Sequence, residues 1–343
     1  MASKLKLSEE RISVKATEVV HLLVQIFQAC GFQSSYAIEI AEHLADSSLC
    51  DVESHGVMRV LQYYDQLQSG YLNSKGDVTV NKLQSGAVEV DGGGTIGIPA
   101  MRIATSEVCS AAKKQGVAAL AICNVGHTGR LGAFAEQAAN EGYMLFIVGG
   151  GNREKWRQVT PFGGAKAMLG TNPFCMGMPG GKHGPVVLDF ATSKIAGGWV
   201  YAARSAGAKL PPGTVIDKDG NPTQDPEDYF DGGAILPAAA QKGYAMAVMA
   251  EMICEAMLGP VACECNWLMI ALDTTRYKQP GRIQAEAETI LAELRNCPPA
   301  PGFDRVEIPG EREREARNRA NGVIQLPAST WQQMQELSGE LGV

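Results

Sequence analysis

The sequence is short of what several functions require. No run reaches the roughly 18 apolar residues of a membrane span, and the opening stretch Met1 to Glu10 lacks the apolar core of a signal peptide. A cytosolic protein without a membrane partner is expected. Basic residues are outnumbered, 30 Lys and Arg against 37 Asp and Glu for a formal charge of −7, and they are scattered. Nucleic acid is therefore not an expected partner. The nine cysteines are an odd number without framework spacing, which fits reduced thiols better than disulfides. Cys263-Glu264-Cys265 is the only close pair and has no histidine or second pair beside it, so no metal site is expected. No internal repeat or low-complexity tract is present.

What the chain does have is length and apolar content: 343 residues, 45% hydrophobic, enough for two or three domains that can interleave. The most organised stretch runs from Val117 to Gly151. Val117 to Cys123 and Tyr143 to Val148 are apolar runs of strand length, and Leu131 to Asn140 has helical composition. Between the first strand and the helix lies Gly126-His127-Thr128-Gly129-Arg130-Leu131-Gly132. Glycines let a backbone approach a ligand, and the first N–H groups of a helix attract anions. A tight turn whose histidine merely caps the helix is the competing reading.

Three helices are expected before this stretch, from Ser8 to about Cys30, Ser35 to about Cys50, and Ser54 to about Ser69. In the third, Val57, Val60, Leu61, Tyr64 and Leu67 follow helical spacing and define a core face. His55, Arg59 and Tyr63 fall at i, i+4 and i+8 on another face, with Ser54 at the N-cap. A histidine in the first turn of a helix has a lowered pKa, which suits acid/base work. An ordinary solvated face is the alternative.

Ala87 to Asp91 alternates like a strand, and Gly92-Gly93-Gly94-Thr95-Ile96-Gly97 follows before a helix from about Pro99 to Gln115. This is the spacing of a dinucleotide fingerprint. The next strand, however, ends in Asn124-Val125-Gly126 with no acidic residue for the ribose hydroxyls. A Rossmann dehydrogenase built on Gly92 to Gly97 is thus the weaker alternative. Later, Val186 to Phe190 reads as a strand delivering Asp189, and Ser193 as the N-cap of a helix through Ser205. Lys242-Gly243-Tyr244 opens a helix to about Leu258 that is apolar nearly all round, as in a core or a subunit interface. Strand Trp267 to Leu272, helix Ile283 to Leu294, a charged helical face from Arg312 to Arg319, and a last helix with the capping box Ser329-x-x-Gln332 complete the chain.

Taken together, these motifs resemble the malate/L-lactate dehydrogenase family that lacks a Rossmann fold, a group that includes L-sulfolactate dehydrogenases, ureidoglycolate dehydrogenases and cyclic ketimine reductases. Ser54-His55-Gly56 with Arg59, Gly126-His127-Thr128-Gly129, Pro161-Phe162-Gly163-Gly164, Gly170-Thr171-Asn172-Pro173, Asp189-Phe190-Ala191-Thr192-Ser193, Lys242-Gly243-Tyr244 and Pro309-Gly310-Glu311 match in order. The resemblance implies an α/β chain of the α+β kind, with the sulfolactate dehydrogenase-like fold: a mostly antiparallel central sheet and an interleaved helical domain. The implied parts are a helical segment 1–75 packed with 280–343, a first core part 76–125, a cofactor-binding domain 126–235, and the remainder 236–343. It also implies a homodimer that moves a hydride between NADH or NADPH and a small carboxylate substrate, a 2-oxo acid or a cyclic imino acid.

In that picture Ser54 and His55 are the proton relay, with His127 holding the acid/base role in some members. Arg59 grips the substrate carboxylate, and Tyr63, Thr171 and Trp199 also border the substrate. The cofactor lies along His127, Thr128, Gly129, Arg130 and Leu131, along Asp189, Phe190 and Ala191, and toward Lys242, Glu311 and Arg312. Gly92 to Gly97 becomes a structural turn. One position departs from the family: dehydrogenases carry Gly-Lys, and the imine reductases Gly-Asp, where this chain has Gly198-Trp199. An indole cannot relay a proton. A cofactor-binding protein that has lost turnover is therefore the second functional reading, and Arg153 to Arg157 is a candidate second anion contact.

Overall fold

A computed structural model describes residues 10–151, 153–205, 207–277 and 281–343. In chain order the first half holds β1 (Arg11–Lys15), α1 (Ala16–Ala29), α2 (Ser34–Leu49), α3 (Arg59–Gln68), β2 (Thr79–Lys82), β3 (Val88–Asp91), α4 (Gly97–Gln115), β4 (Val117–Val125), α5 (Leu131–Asn140) and β5 (Tyr143–Gly150). The middle holds β6 (Pro173–Met178), β7 (Val186–Ala191), α6 (Gly197–Ser205), β8 (Val215–Ile216), β9 (Pro222–Thr223), α7 (Pro226–Phe230), β10 (Ala234–Ile235) and α8 (Gln241–Glu251), which continues into a π-helical turn, Met252–Met257. The end holds β11 (Cys265–Asp273), α9 (Arg282–Arg295), α10 (Glu311–Ala320), β12 (Val323–Pro327) and α11 (Ala328–Leu341).

The main sheet has seven strands in the order β2-β3-β4-β11-β5-β6-β7 and is mostly antiparallel. Its one expected Rossmann-like feature is local: β3 and β4 pair in parallel, with α4 as the crossover between them. The described chain separates into two compact units. The larger comprises Arg11–Ile147, Cys175–Asp189 and Leu268–Val343; the smaller comprises Val148–Phe174 and Phe190–Trp267.

In the larger unit an early segment of the chain pairs with a late one. Arg11-Ile12-Ser13-Val14-Lys15 alternates and carries β-branched residues, and it pairs antiparallel with β12 from Arg11↔Pro327 to Lys15↔Val323. The first helix therefore starts at Ala16, not Ser8, because β12 offers a ladder partner that sequence spacing cannot reveal; Ser8 itself lies outside the described residues. From there α1 buries Val19, Leu23, Ile26 and Phe27 on one stripe and packs against α2 and α11. The last helix has Pro327 as its N-cap, and Gln332 bonds to Glu336 at 2.8 Å. The helix starts at Ala328, so Ser329 lies within its first turn and not at the expected N-cap, because β12 runs straight into α11.

The smaller unit buries Val159, Leu169, Val200, Val215, Ile235 and Ala247 among its core residues, with Trp199, Tyr229, Phe230 and Tyr244 packed against them. Here α6 begins at Gly197, because Ser193 donates its hydroxyl to the Ile195 carbonyl at 2.7 Å instead of capping a helix. Helix α8 buries Gly243, Ala247, Ala250 and Glu251 along one face only. Met249 on the other face, and Met252 in the π-helical turn that follows, are 55% and 56% exposed, so this stretch is not enclosed among the described residues. Among the described residues no helix is long and apolar enough to cross a membrane.

Candidate active site

The glycine turn after β3 is used up by its own neighbours. Gly92 donates to the Cys123 carbonyl at 3.0 Å, Gly94 to Asn124 at 2.8 Å, and Gly97 to His127 at 3.0 Å. A Cβ on Gly92 would stand 2.2 Å from Val125, and one on Gly97 would stand 2.6 Å from the Gly126 carbonyl. These glycines serve close packing of two loops, and their N–H groups do not face a ligand. Gly92 to Gly97 is a structural turn, which removes the Rossmann alternative.

That turn in turn braces the Gly126 to Gly129 loop, whose Gly126 N–H donates to Thr95 at 2.8 Å. His127 lies at the end of β4 as expected and meets α3 from the opposite side. The fully buried Tyr63 places its hydroxyl 2.7 Å from His127 Nδ1, and the Gly129 N–H donates to the same nitrogen at 3.2 Å. Tyr63 is thus turned into the core and bonded to a histidine, not open to a substrate. Tyr64, expected on the core face, is only partly buried, so the helix is rotated from the expected face.

His55 does not sit in the first turn of α3. Glu53–His55 forms a separate 3-10 turn, followed by an extended Gly56. The break has a local cause. Ser48 Oγ accepts the Val57 N–H at 3.0 Å, and a Cβ on Gly56 would come within 2.3 Å of that oxygen. The side-chain hydroxyl takes an amide that a continuous helix would need. Ser54 Oγ lies 2.9 Å from His55 Nδ1. Arg59 donates Nε to the Ser54 carbonyl and Nη1 to Gln62 Oε1. The His55 and His127 rings are 5.1 Å apart between centroids, tilted by 32°.

Both histidines are held neutral near pH 7. Burial pushes His55 down to about 3, with Arg59 and then Arg130 adding to the effect. Burial also holds His127 well below its ordinary value, reinforced by Arg59, His55 and His43. The cause is desolvation and neighbouring cations, not the helix dipole that spacing suggested. Ser54, His55, Arg59 and His127 are therefore brought together in one unit.

The side chains of the next residues of the loop are held by packing and ion pairs. Arg130 is 6% exposed and bonds Asp46 at 2.8 Å, with Glu136 at 3.7 Å. Arg317 reaches the same two carboxylates at 3.1 and 2.9 Å, closing a four-residue ionic cluster. His43 accepts the Arg130 N–H at 2.9 Å and stacks on Phe134 at 5.1 Å. A Cβ on Gly129 would lie 2.3 Å from His43 Nε2, so this glycine, at φ 73°, is required by packing. Thr128 and Leu131 are buried with it. His43 and the cluster were not visible to sequence reasoning, because no motif or spacing links α2, α5 and α10.

Asp189 accepts the Gly132 N–H at 2.7 Å through Oδ2. Glu311 is buried and pairs with Arg295, while Arg312 pairs with Glu313 at 2.6 Å. In the smaller unit the Thr171 carbonyl accepts two bonds from Thr192, at 2.9 Å from the amide and 3.0 Å from the hydroxyl. Asn172 beside it, at φ 40°, is clamped by the buried Glu251 at 2.7 Å. Phe190 is 39% exposed and stacks on Phe174, and Ala191 is half-buried. Lys242 is exposed at the start of α8, after Ala239 and Ala240, which both have positive φ. Trp199 is half-buried with its ring against the core of the unit. Arg153 forms a two-bond pair with Glu255 at 3.0 and 3.1 Å and is not a spare anion contact.

The family profile described as malate/L-lactate dehydrogenase matches residues 14–335. The chain belongs to the malate/L-lactate dehydrogenase family. Its fold and its enzyme class follow: it is an oxidoreductase of this family. The chain is 36% identical over 248 residues, 72% of each chain, to a Δ1-pyrroline-2-carboxylate/Δ1-piperideine-2-carboxylate reductase of Pseudomonas putida. It is 30% identical to an L-lactate dehydrogenase of Cupriavidus necator, covering 97% of this chain and 99% of that one. Among solved structures, sulfolactate dehydrogenase from Methanocaldococcus jannaschii superposes with a TM-score of 0.85 at 28% identity, covering 97% of this chain and 98% of that one.

Proposed function

We propose that this malate/L-lactate dehydrogenase family member interconverts a small 2-oxo acid or cyclic imino acid with its 2-hydroxy or 2-amino acid form, using NADH or NADPH. The reading is carried by the pairing of two neutral imidazoles, 5.1 Å apart between centroids, with the guanidinium of Arg59. A cation that can hold a carboxylate stands beside a serine-backed histidine that can hand over a proton.

The donor set suits a nicotinamide dinucleotide. Asp189 uses Oδ2 on Gly132 and is exposed, so its other oxygen can accept from an amide or ribose hydroxyl. Phe190 offers an exposed ring and Lys242 an exposed ammonium for a phosphate. In the larger unit, Asp189 and the His127 to Leu131 backbone are the residues proposed to hold it. When bound, the cofactor supplies or accepts the hydride at the substrate carbon. Arg59 orients the carboxylate with its outer nitrogens, since Nε is taken by Ser54. His55 gives the Nε2 proton to the developing alkoxide or amine while Nδ1 takes the hydroxyl proton of Ser54, at 2.9 Å. Solvent then returns a proton to Ser54. A bound carboxylate also offsets the charge of Arg59, one of the groups lowering the His55 pKa, and so favours the protonated relay.

A cofactor binder without turnover rested on Trp199, and the packing of that ring against the smaller unit's core gives this second reading no support. We propose a homodimer as the working form, with the exposed Met249 of α8 and Met252 of the π-helical turn after it as apolar surface for the partner copy. The test of function is a screen of 2-oxo acids and cyclic imines at fixed NADH or NADPH, followed at the nicotinamide absorbance. Turnover of one class with one cofactor is the expected result. Cofactor binding without reduction of any member of either class would sink the reading.

A further inference from the structure

We infer that Tyr63 is a positioning residue that, with the Gly129 amide, fixes His127 as the Nε2–H tautomer, so that His127 presents a hydrogen-bond donor and leaves proton transfer to His55. The inference deepens the function proposed above and rests on it for its catalytic consequence, but not for the tautomer itself. A backbone nitrogen can only donate, and the Gly129 N–H points at His127 Nδ1 from 3.2 Å. That longer contact favours a lone pair on Nδ1, and the Tyr63 hydroxyl, 2.7 Å from the same atom, donates through the shorter one, so the two donors together hold the lone pair there. The ring proton is left on Nε2.

The loop cannot easily escape this arrangement. Gly97 and Thr95 bond to it on one side, and His43 fills the place of a Gly129 Cβ while accepting the Arg130 amide at 2.9 Å. Protonating Nδ1 would set an N–H against the Gly129 N–H in a loop with no room to turn. The cations and imidazoles facing the ring from other elements, Arg59, His55 and His43, oppose protonation too. Tyr63 is 0% exposed, so water does not compete for its hydroxyl. The two histidines consequently differ in kind. His55 has a proton source in Ser54, whereas His127 has donors on both of its inner contacts and can only lend its Nε2–H to a substrate oxygen or nitrogen.

The experiment is long-range 1H–15N correlation on the full chain labelled with 15N-histidine, which has five histidines. His127→Asn assigns the resonances of position 127. The wild-type protein is expected to show the neutral Nε2–H pattern at this ring from pH 6 to 8. Tyr63→Phe should mix the two tautomers and lower kcat about tenfold with KM nearly unchanged, the scale of one lost neutral hydrogen bond. An Nδ1–H pattern in the wild type, an imidazolium pattern in that range, or a Tyr63→Phe spectrum with the tautomer unchanged would overturn the inference. A protein that reduces no substrate yet shows the Nε2–H pattern lost in Tyr63→Phe would sustain the tautomer assignment and fail the proposed function.

Discussion

Asp189 Oδ2 accepts the Gly132 N–H at 2.7 Å, and so the end of β7 caps a helix that lies 57 positions earlier in the chain. The N-cap of α5 is Arg130, which has no capping bond from its own side chain. Asp189 supplies the missing acceptor and a negative charge at the positive helix end. Asp189→Ala should lower unfolding stability by about 1 kcal/mol, and Asp189→Asn by less, in urea titrations. Equal midpoints for all three proteins would remove the capping role.

His55→Ala should slow the chemical step about 100-fold or more while the cofactor still binds, as measured by single-turnover oxidation of bound NADH or NADPH. The expectation follows from the Ser54 contact at 2.9 Å, which gives His55 a proton source. Near-normal turnover would move the proton-transfer role to His127.

Arg59→Lys keeps the charge but loses the planar fork. With Nε anchored to Ser54, a lysine can neither brace that turn nor present two parallel donors. Catalytic efficiency for a carboxylate substrate should fall on the order of 100-fold, the loss expected when a charge-assisted bidentate contact is removed. Unchanged kcat and KM would exclude carboxylate binding at this residue.

Acid should destabilise the fold earlier than its carboxylates require. His43, His55 and His127 all have folded pKa values depressed below the ordinary 6.5, His43 by complete burial and then by Arg130. Between about 6.5 and the folded values, the unfolded chain binds protons that the folded chain refuses. The contribution of these rings to stability is thus present above pH 6.5 and is lost as pH falls, by up to about 1.4 kcal/mol per pH unit for each. Denaturant midpoints at pH 7.5 and 5.5 should differ in that direction, and His43→Asn should flatten the difference. A midpoint that is level or rising toward pH 5.5 would contradict this.

Trp199→Ala should cost about 2 kcal/mol, below the value for a wholly enclosed tryptophan, since the ring is only half-buried against its core cluster. Preference among substrates should stay the same. A shift of Trp199→Lys toward small 2-oxo acids, at unchanged stability, would instead place the indole at the substrate.

Local pattern carried much of this protein. The alternation of Val88 to Asp91, the apolar run from Val117, and the helical stripes of α1, α2 and α4 were legible because hydrophobic period and glycine stops act over a few residues. Ser54, His55, Arg59 and His127 were legible too, as polar groups beside glycines at the ends of those elements. What tertiary structure alone decided was the partner of each group. Tyr63 and His127 are 64 positions apart, and His43 and Arg130 are 87 apart. The strand at Arg11 exists because Pro327 lies opposite it. Spacing marked Tyr63 as one of three residues on an open face, yet the turn at Gly56 rotated the helix and sent the phenol inward. It likewise allowed Gly92 to Gly97 a phosphate, until the carbonyls of β4 and its loop took the N–H groups. A sequence states which groups can bond and pack over one or two turns. Which distant group satisfies them is settled only when the chain folds and each buried donor has to find an acceptor.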